Sequence, residues 1–370
     1  MNELDALIFA AEKTGATDII IDAESAFLRV DRKLKPFSDV LIPSPYEILE
    51  QIFTNFPESV RARYLKNIED TIEVDCAFNS GNVRIRANIF TSLKGLKFAL
   101  RIIPQTRLTA EQIGIPITAI SDVQQQSGLF LVTGISGSGK TTTLAAILDV
   151  INNTSQKHIL TIEDPIEYVF ENRKSIFSQR EIPTHTKDYA NALRSSVREN
   201  ADIILIGEMR DYNTVKAAIE LAETGHLVLS TLHTRNAIST IDRILSMANK
   251  EEAHHIRTMI SIQLIGVLSQ TLLHKSSTKG GLIASFEYMH VTNAIRNLIR
   301  DDKIPMIYSE LQTGFKDGAV TMEEYLATLV ERSIISLPDA LRSTSRIDVL
   351  KQRLQNSPAV NQFELQQFLD

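Results

Sequence analysis

The sequence is poor in the residues that mark secreted, fibrous and membrane-spanning proteins. Its 370 residues include one cysteine, Cys76, so neither an intramolecular disulfide nor a zinc site of four cysteines can form. Glycine (15) and proline (11) are scarce, which excludes collagen-like and low-complexity chains. No window approaches the roughly 18 consecutive apolar residues of a membrane span. A thiol-reducing compartment fits best, and we expect a cytoplasmic protein.

Charge excludes two further classes of partner. Lysine and arginine (39) are outnumbered by aspartate and glutamate (45), which leaves a net charge of −6. A chain of this sign lacks the field that draws proteins to nucleic acid or to anionic lipid, so we expect no nucleic-acid partner. Near the N-terminus, Glu3, Asp5 and Glu12 occupy positions where a secretory signal needs basic and apolar residues, and the pattern predicts an amphipathic first helix.

Residues 1–103 form a small α+β domain according to their pattern. After the first helix, short strands are predicted, with hairpin turns at Ser80-Gly81 and Lys94-Gly95. One of these strands alternates apolar residues with Arg84 and Arg86, which places both arginines on one face, and a solvated face is the simplest interpretation.

The pattern changes after residues 104–127, which contain prolines, a glycine and a glutamine run and are predicted to be a linker with one short helix. From residue 128 short apolar strands alternate with helices, which indicates an α/β domain with a largely parallel sheet over 128–370. Beyond Thr234 we predict mostly helix, with one hairpin strand at Leu282 to Met289.

The strongest local motif is a complete GxxxxGK[ST] loop between an apolar strand and a helix. Glycines let backbone N–H groups turn towards phosphates, and the following helix adds its positive N-terminal end. Lys140 is expected to contact the β- and γ-phosphates, and the Thr141 hydroxyl to ligate Mg²⁺. The predicted nucleotide-binding residues are Gly134, Ser136, Gly137, Ser138, Gly139, Lys140, Thr141 and Thr142.

Two acids follow apolar strands, where an open α/β sheet presents its ligand crevice. Glu208 ends the strand IILIG, and we predict that it orients or deprotonates the attacking water, with a water-mediated metal contact as a second role. Glu163 is predicted to support Glu208 or to hold the metal through water; a turn or helix cap is the structural alternative for Glu163. His233, at the end of the strand LVLSTL, is either a packed or surface histidine or a sensor of the γ-phosphate.

Several motif blocks, in order, resemble the ATPases of type II secretion and type IV pili: LFLVTGISGSGKTTTLAAILDVINNT, HILTIEDPIEYVF and ADIILIGEMRDYNTVKAAIELAETGHLVLSTLHT. Within that superfamily, the segment from Ala294 to Lys303 and the following LQTG are similar to the PilT-like retraction branch. The resemblance covers essentially the whole chain. It implies a PAS-like N-terminal domain followed by a RecA-like P-loop ATPase domain with C-terminal helices.

The resemblance also implies roles for individual residues. The family pattern makes Glu208 the Walker B acid, Thr161 to Glu167 the acidic Asp box, and Thr224 to His233 the His box. Arg86 and Arg101 fall where the family places phosphate-contacting arginines of the N-terminal domain. Two segments depart from the pattern: Asp22 to Phe37, and the approach to Walker B, where a proline and one acid are lost but Asp202 is kept.

The function implied is ATP hydrolysis by a homohexamer, using ATP and Mg²⁺, that drives type IV pilus retraction and twitching motility. The implied partners are an inner-membrane platform protein, at whose cytoplasmic face the motor works, and an assembly ATPase counterpart. Two alternatives stay open: a pilus assembly or secretion ATPase, and a weakly hydrolysing regulatory subunit. Assembly ATPases commonly carry a tetracysteine zinc site, and the single cysteine here favours retraction.

Overall fold

The structure, a computed structural model, describes residues 2–22, 25–30, 33–38, 40–70, 73–104, 107–125, 127–276, 280–355 and 357. The chain forms two compact units. The first unit comprises Met1–Arg107, Ile162–Glu171 and Gln179–Ala192, and the second comprises Leu108–Thr161, Asn172–Ser178 and the chain from Leu193 onward. Parts of the predicted linker (105, 106 and 126), of the divergent segment 22–37 (23, 24, 31 and 32) and of the C-terminal domain (277–279, 356 and 358–370) lie outside the described residues.

The strands of the described residues are β1 (Asp18–Asp22), β2 (Ser25–Val30), β3 (Lys33–Pro36), β4 (Val74–Ser80), β5 (Val83–Ser92), β6 (Gly95–Ile103), β7 (Gly128–Thr133), β8 (His158–Glu163), β9 (Ile176–Glu181), β10 (Ile203–Ile206), β11 (Leu227–Leu232), β12 (Leu264–His274) and β13 (Leu282–His290). The α-helices are α1 (Glu3–Lys13), α2 (Pro45–Phe53), α3 (Glu58–Glu69), α4 (Ala110–Ile113), α5 (Ile117–Gln125), α6 (Lys140–Thr154), α7 (Tyr189–Ser196), α8 (Tyr212–Glu223), α9 (Ala237–Met247), α10 (Ala253–Gln263), α11 (Asn293–Arg300), α12 (Ile307–Thr313), α13 (Met322–Glu331), α14 (Leu337–Ser343) and α15 (Ile347–Leu354).

An antiparallel sheet in the order β3-β2-β1-β6-β5-β4 forms the first unit. The predicted amphipathic first helix is present as α1, which Asn2 caps at its N-terminus. Its buried residues recur at helical spacing and join the sheet and α2 in one core: Leu4, Leu7, Ile8 and Ala11. The alternation predicted for β5 is also present, because its apolar residues are buried and its arginines are not fully covered.

The second sheet has the order β13-β12-β7-β11-β10-β8-β9. Strands β10, β11, β7 and β12 pair in parallel, as predicted for the α/β domain, and β13 is antiparallel to β12. Every residue of β7, β10 and β11 is buried. Burial on both faces explains their continuous apolar sequences.

The sequence prediction is wrong for β12, which lies in a region predicted to be helical apart from one hairpin strand. β12 pairs with β7 along one edge and with β13 along the other, and its consecutive residues from Leu264 to Gln270 are buried, so no alternation marks it. The segment 104–127 also differs from the prediction, because it carries α4 and α5 instead of one short helix.

Cys76 is fully buried in the core of the first unit, and burial raises the pKa of its thiol, which keeps it protonated and unreactive. Within the described ranges, no helix is long and apolar enough to cross a membrane.

A buried carboxyl group joins the start of two helices in the second unit. Glu287, on β13, is 1 % exposed, and its Oε1 accepts a hydrogen bond from the Ala237 N–H at 2.8 Å, at the start of α9. A second backbone N–H, that of Met322 at the start of α13, also stabilises its charge. Burial nevertheless raises the pKa of Glu287 to about 7, and the nearby carboxylate of Glu323 adds to the shift.

This pKa makes the stability of the protein depend on pH. Between the unfolded value near 4.5 and the folded value of about 7, the folded chain keeps a proton that the unfolded chain releases, so Glu287 destabilises the fold increasingly as pH rises. We expect Glu287→Gln to remove this dependence, gaining about 3 kcal/mol relative to the wild type between about pH 5 and about pH 8. Urea unfolding of both proteins at the two pH values measures the difference. Parallel pH profiles would contradict it.

Candidate nucleotide-binding site

The predicted glycine loop connects β7 to α6 in the second unit. Three glycines have positive φ angles that other residues rarely adopt, namely Gly134 (+151°), Gly137 (+75°) and Gly139 (+90°). The loop residues Ile135 to Gly137 are exposed, whereas Ser138 is 2 % exposed. The loop therefore presents backbone to solvent directly before the N-terminus of α6, where helix N–H groups lack intrahelical acceptors.

Lys140 opens α6, and its ammonium group lies inside the loop. The Nζ atom donates to the carbonyl oxygens of Gly134 (2.9 Å) and Ile135 (3.1 Å), and lies 3.4 Å from Nδ1 of His233. Burial lowers the pKa of Lys140, and the carboxylate of Glu208 opposes that shift. A cation is thus held over the backbone of the loop.

Hydroxyl groups of β11 hold the turn that carries Glu208. Ser230 Oγ donates to the carbonyl of Ile206 at 2.8 Å, and Thr231 Oγ1 donates to that of Gly207 at 2.7 Å. Because β10 and β11 are parallel, their carboxyl ends meet at one edge of the sheet. The two hydroxyls fix Glu208 at that edge, beside the loop that follows β7.

Glu208 and His233 are in direct contact. His233 Nε2 lies 3.0 Å from Glu208 Oε1, and Arg210 Nε donates to the second carboxylate oxygen, Oε2, at 2.8 Å. Since Glu208 accepts at Nε2 and the ammonium of Lys140 faces Nδ1, the network assigns the neutral imidazole with its proton on Nε2. The result is a hydrogen-bonded series of three side chains, Lys140–His233–Glu208, which we call the Lys–His–Glu network.

The loop also fits an anion. Among the described residues, the buried side-chain atoms Ser138 Oγ, Thr143 Oγ1 and Gln270 Oε1 have no hydrogen-bond partner. Each such atom costs about 1–3 kcal/mol if it stays unpaired. The Ser138 and Thr143 hydroxyls are covered by protein, so the groups that a phosphate would meet are the backbone N–H groups of the exposed loop and of the start of α6.

In the first unit, the two arginines implied by the family resemblance stand directly opposite each other. The register of β5 and β6 pairs Arg86 with Arg101, and the next pairing along the row sets Arg101 against Asp18 of β1. Arg86 Nη1 lies 3.0 Å from Glu167 Oε1, and Arg101 Nε lies 3.0 Å from Asp18 Oδ1. Opposed like charges destabilise a sheet, and here each is balanced by its own acid.

The prediction that Arg84 is a solvated side chain is wrong. Its side chain is 18 % exposed; Nε donates to the carbonyl of Ile166 at 3.1 Å, and Nη2 contacts Glu181 Oε2 at 3.1 Å. Burial raises the pKa of Glu181, while hydrogen bonds and the Arg84 charge act in the opposite direction. Arg84 is therefore half of a buried ion pair, which alternation alone cannot distinguish from a surface arginine.

The structure brings together some of the predicted residues and places the others in the first unit. Lys140, His233 and Glu208 meet in the second unit, with Thr141 next to Lys140 on α6. Glu163, at the end of β8, is 7 % exposed and accepts from Gln179 Nε2 at 3.4 Å, within the first unit. Glu163, Arg86 and Arg101 keep their roles as predictions.

Sequence analysis missed one residue that touches the loop, Gln270 of β12. Its Nε2 donates to the carbonyl of Ser138 at 2.6 Å, across 132 positions of sequence. The available signal was a glutamine in the middle of an apolar run, which indicates a buried amide with a specific partner.

The chain matches the family model "Type II/IV secretion system protein" over residues 58–327. It is 42 % identical to the type IV pilus retraction ATPase PilT of Pseudomonas aeruginosa over 344 residues, which is 92 % of this chain and 97 % of that protein. It is 45 % identical to a twitching motility protein of Neisseria gonorrhoeae over 278 residues, 75 % of this chain and 74 % of that protein.

A solved structure is similar over almost the whole chain. The crystal structure of the pilus retraction motor PilT with bound ADP superposes with a TM-score of 0.84 at 37 % sequence identity. The match covers 95 % of this chain and all of that one.

The loop glycines should differ in their tolerance of a side chain. A Cβ at Gly134 would collide with Ser138 Oγ and lie 2.5 Å from the carbonyl oxygen of Gln270, whereas a Cβ at Gly137 meets nothing within 4 Å. We expect Gly134→Ala to lower the free energy of unfolding by about 3 kcal/mol and Gly137→Ala by about 1 kcal/mol. Chemical unfolding of the two variants tests this difference. Equal losses would show that backbone strain, not the collision, dominates.

The two ion pairs of β5 should also differ in energy. Arg84→Met leaves Glu181, whose side chain is 4 % exposed, buried without its cation, and we expect a loss of about 3 kcal/mol. Arg86→Met removes a more exposed pair and should cost about 0–1 kcal/mol. Thermal and urea unfolding of both variants provide the measurement. An Arg84 variant as stable as the Arg86 variant would refute the distinction.

Proposed function

This chain belongs to the type II/IV secretion system protein family, and on that basis we propose that it is an ATP-hydrolysing motor that retracts a type IV pilus. The membership predicted from the motif blocks is confirmed. So is the predicted fold class, because the chain matches the PilT motor along its length. The relatives' own descriptions, a pilus retraction ATPase and a twitching motility protein, support retraction over assembly.

The observation that carries the proposal is the Lys–His–Glu network beside the glycine loop. In P-loop enzymes the loop lysine contacts the β- and γ-phosphates, and a strand-end acid positions the attacking water. Lys140 and Glu208 occupy those two positions, and His233 connects them by contacts of 3.4 Å and 3.0 Å. We assign Glu208 as the residue that orients the water, because a carboxylate oxygen has lone pairs left after accepting from His233 and Arg210.

His233 can report on the phosphate because its two nitrogens serve different partners. Nε2–H donates to Glu208, and Nδ1 accepts from Lys140. When the ammonium of Lys140 moves to a phosphate, Nδ1 loses its donor, and the imidazole is free to turn with Glu208. The contacts to Lys140 and Glu208 favour the sensor role over that of a packed or surface histidine.

Mg²⁺ is part of the proposal through the residues that would hold it. Among the described residues, no group of three or more histidine, cysteine, aspartate or glutamate side chains could bind a metal ion by itself. Mg²⁺ keeps water and phosphate oxygens as ligands and needs only one or two from the protein. Thr141 supplies a hydroxyl at the first turn of α6, and Glu208 is the acid available for a contact through water. The ion would neutralise charge on the phosphates.

Arg86 and Arg101 are proposed to contact phosphate, the role that the family resemblance implies for them. Each guanidinium now contacts a carboxylate, Glu167 or Asp18, at 3.0 Å. Each of these contacts engages one nitrogen of a guanidinium that has five N–H donors, so donors remain for a phosphate while the carboxylate stays bound. An arginine of this kind contributes about 10³–10⁵ to the rate in P-loop enzymes.

The assembly and location of the motor are also proposals. The family resemblance favours a homohexameric ring at the cytoplasmic face of the inner membrane, acting on a platform protein and opposed by an assembly ATPase. The retraction-like segment Ala294 to Lys303 folds largely as α11, which buries Ile295 and Ile299, while Asn297 and Arg300 are exposed.

Mg²⁺-dependent ATP hydrolysis by the purified chain, measured over a protein concentration series, tests the enzymatic part. We expect the rate per chain to rise with concentration and Glu208→Gln to lower kcat by about 10²–10⁴ while ATP still binds. The matched control is Glu223→Gln, which removes an exposed acid at the end of α8 and should leave the rate unchanged.

The outcomes separate the alternatives. Turnover at background with intact nucleotide binding would replace the motor by a regulatory subunit. In cells, deletion of the gene should leave surface pili and abolish twitching; loss of the pili themselves would identify an assembly ATPase. Glu208→Gln in the chromosome should reproduce the deletion.

A further inference from the structure

Strand β12 forms a wall behind the glycine loop. Its Ser269 pairs in register with Thr133, the last residue of β7, so the next residue, Gln270, lies beside the loop that follows. Gln270 is 1 % exposed. No role in nucleotide binding follows for it from the loop motif, which lies 132 positions away in sequence.

Gln270 contacts the loop at Ser138 and lies close to two of its glycines. Its Nε2 donates to the carbonyl of Ser138 at 2.6 Å. Its own carbonyl oxygen lies 2.5 Å from the position that a Cβ of Gly134 would take, and its Nε2 lies 3.2 Å from that of Gly139. Gly134, Ser138 and Gly139 of the motif therefore all lie against Gln270, Gly134 against its backbone and the other two against its side chain.

The contact leaves hydrogen-bonding capacity unused on both sides. Gln270 Oε1 and Ser138 Oγ are buried without a partner among the described residues. A buried amide that donates a hydrogen bond but leaves its acceptor unpaired contributes little to stability. The pairing of β12 with β7 is already stabilised by the buried hydrogen bond of 2.8 Å between Ser269 Oγ and Thr133 Oγ1. Gln270 instead connects β12 to the loop, through its hydrogen bond to Ser138.

We propose that Gln270 is a positioning residue for the nucleotide, which acts through the Ser138 carbonyl by fixing the loop in the conformation that presents its backbone N–H groups to phosphate. This inference rests on the proposed function of nucleotide binding. Gln270 itself touches the backbone of the loop and not the phosphates. It sets the affinity for nucleotide, and Glu208 and His233 retain the chemical step.

The test compares Gln270→Met with Ser269→Ala in the full-length protein. Methionine has nearly the volume of glutamine but no donor, and it also removes the unpartnered Oε1, so the fold should survive the change. Ser269→Ala removes a buried hydrogen bond of the same strand without touching residues 134–141. Fluorescent ADP titration, the ADP-induced rise in melting temperature, and KM and kcat for ATP are measured for each.

We expect Gln270→Met to raise the Kd for ADP about tenfold, equivalent to about 1.4 kcal/mol, and to reduce the ADP-induced rise in melting temperature. KM should rise by a similar factor, with kcat changed less than about threefold. Ser269→Ala should lower the melting temperature without ADP but bind ADP within about twofold of wild type. If Gln270→Met does not fold, Gln270→Asn decides the question, because its amide is one methylene too short to reach Ser138.

A variant at Gln270 that binds ADP as the wild type does would overturn the inference. Equal loss of affinity in Ser269→Ala would also overturn it, because the strand and not the amide would then control the loop. Failure of the wild type to bind ADP is a different result, since it would remove the proposed function itself. The three outcomes are distinguished by the same titration.

Discussion

Parallel pairing of buried strands is the constraint on which the nucleotide site depends. Because β7, β10 and β11 run in the same direction, their carboxyl ends coincide, and the residues that follow them become neighbours. Lys140, Glu208 and His233 each come within a few residues of such an end, which is why positions scattered over a long stretch of sequence meet within hydrogen-bonding distance. The apolar sequences of the strands are thus part of the chemistry, since only strands buried on both faces assemble in this way.

In the Lys–His–Glu network, the positions of the three side chains determine their electrostatic interactions. A buried ammonium, a neutral imidazole and a carboxylate alternate as donor, relay and acceptor, and the direction of each hydrogen bond follows from its neighbours. Moving any one of the three side chains changes what the other two can bind. The loss of one interaction therefore alters the whole network, which is the property that the proposed sensor role of His233 requires.

What could be predicted from the sequence was what a short motif or a strand end defines. The positions of the glycine loop and of Glu208 at the carboxyl ends of neighbouring parallel strands could be predicted, because each follows an apolar strand directly in the sequence. The opposition of Arg86 and Arg101 was not within reach, because a two-residue turn at Lys94-Gly95 would set Ile103 opposite Arg86, whereas the turn forms one residue earlier and pairs Ser92 with Gly95. Gln270 was not predictable either, because β12 is buried on both faces, shows no period, and meets the loop only through tertiary pairing.

The surface turn between β5 and β6 affects which residues face each other across the two strands. Side chains alternate along a strand, so an insertion between Ser92 and Gly95 that shifted the pairing by one residue, instead of lengthening the loop, would set Leu100 instead of Arg101 opposite Arg86. The charged face would acquire a leucine and the core an arginine. A change of length in this turn is therefore compatible with the charged row of the sheet only where the pairing of Ser92 with Gly95 is kept.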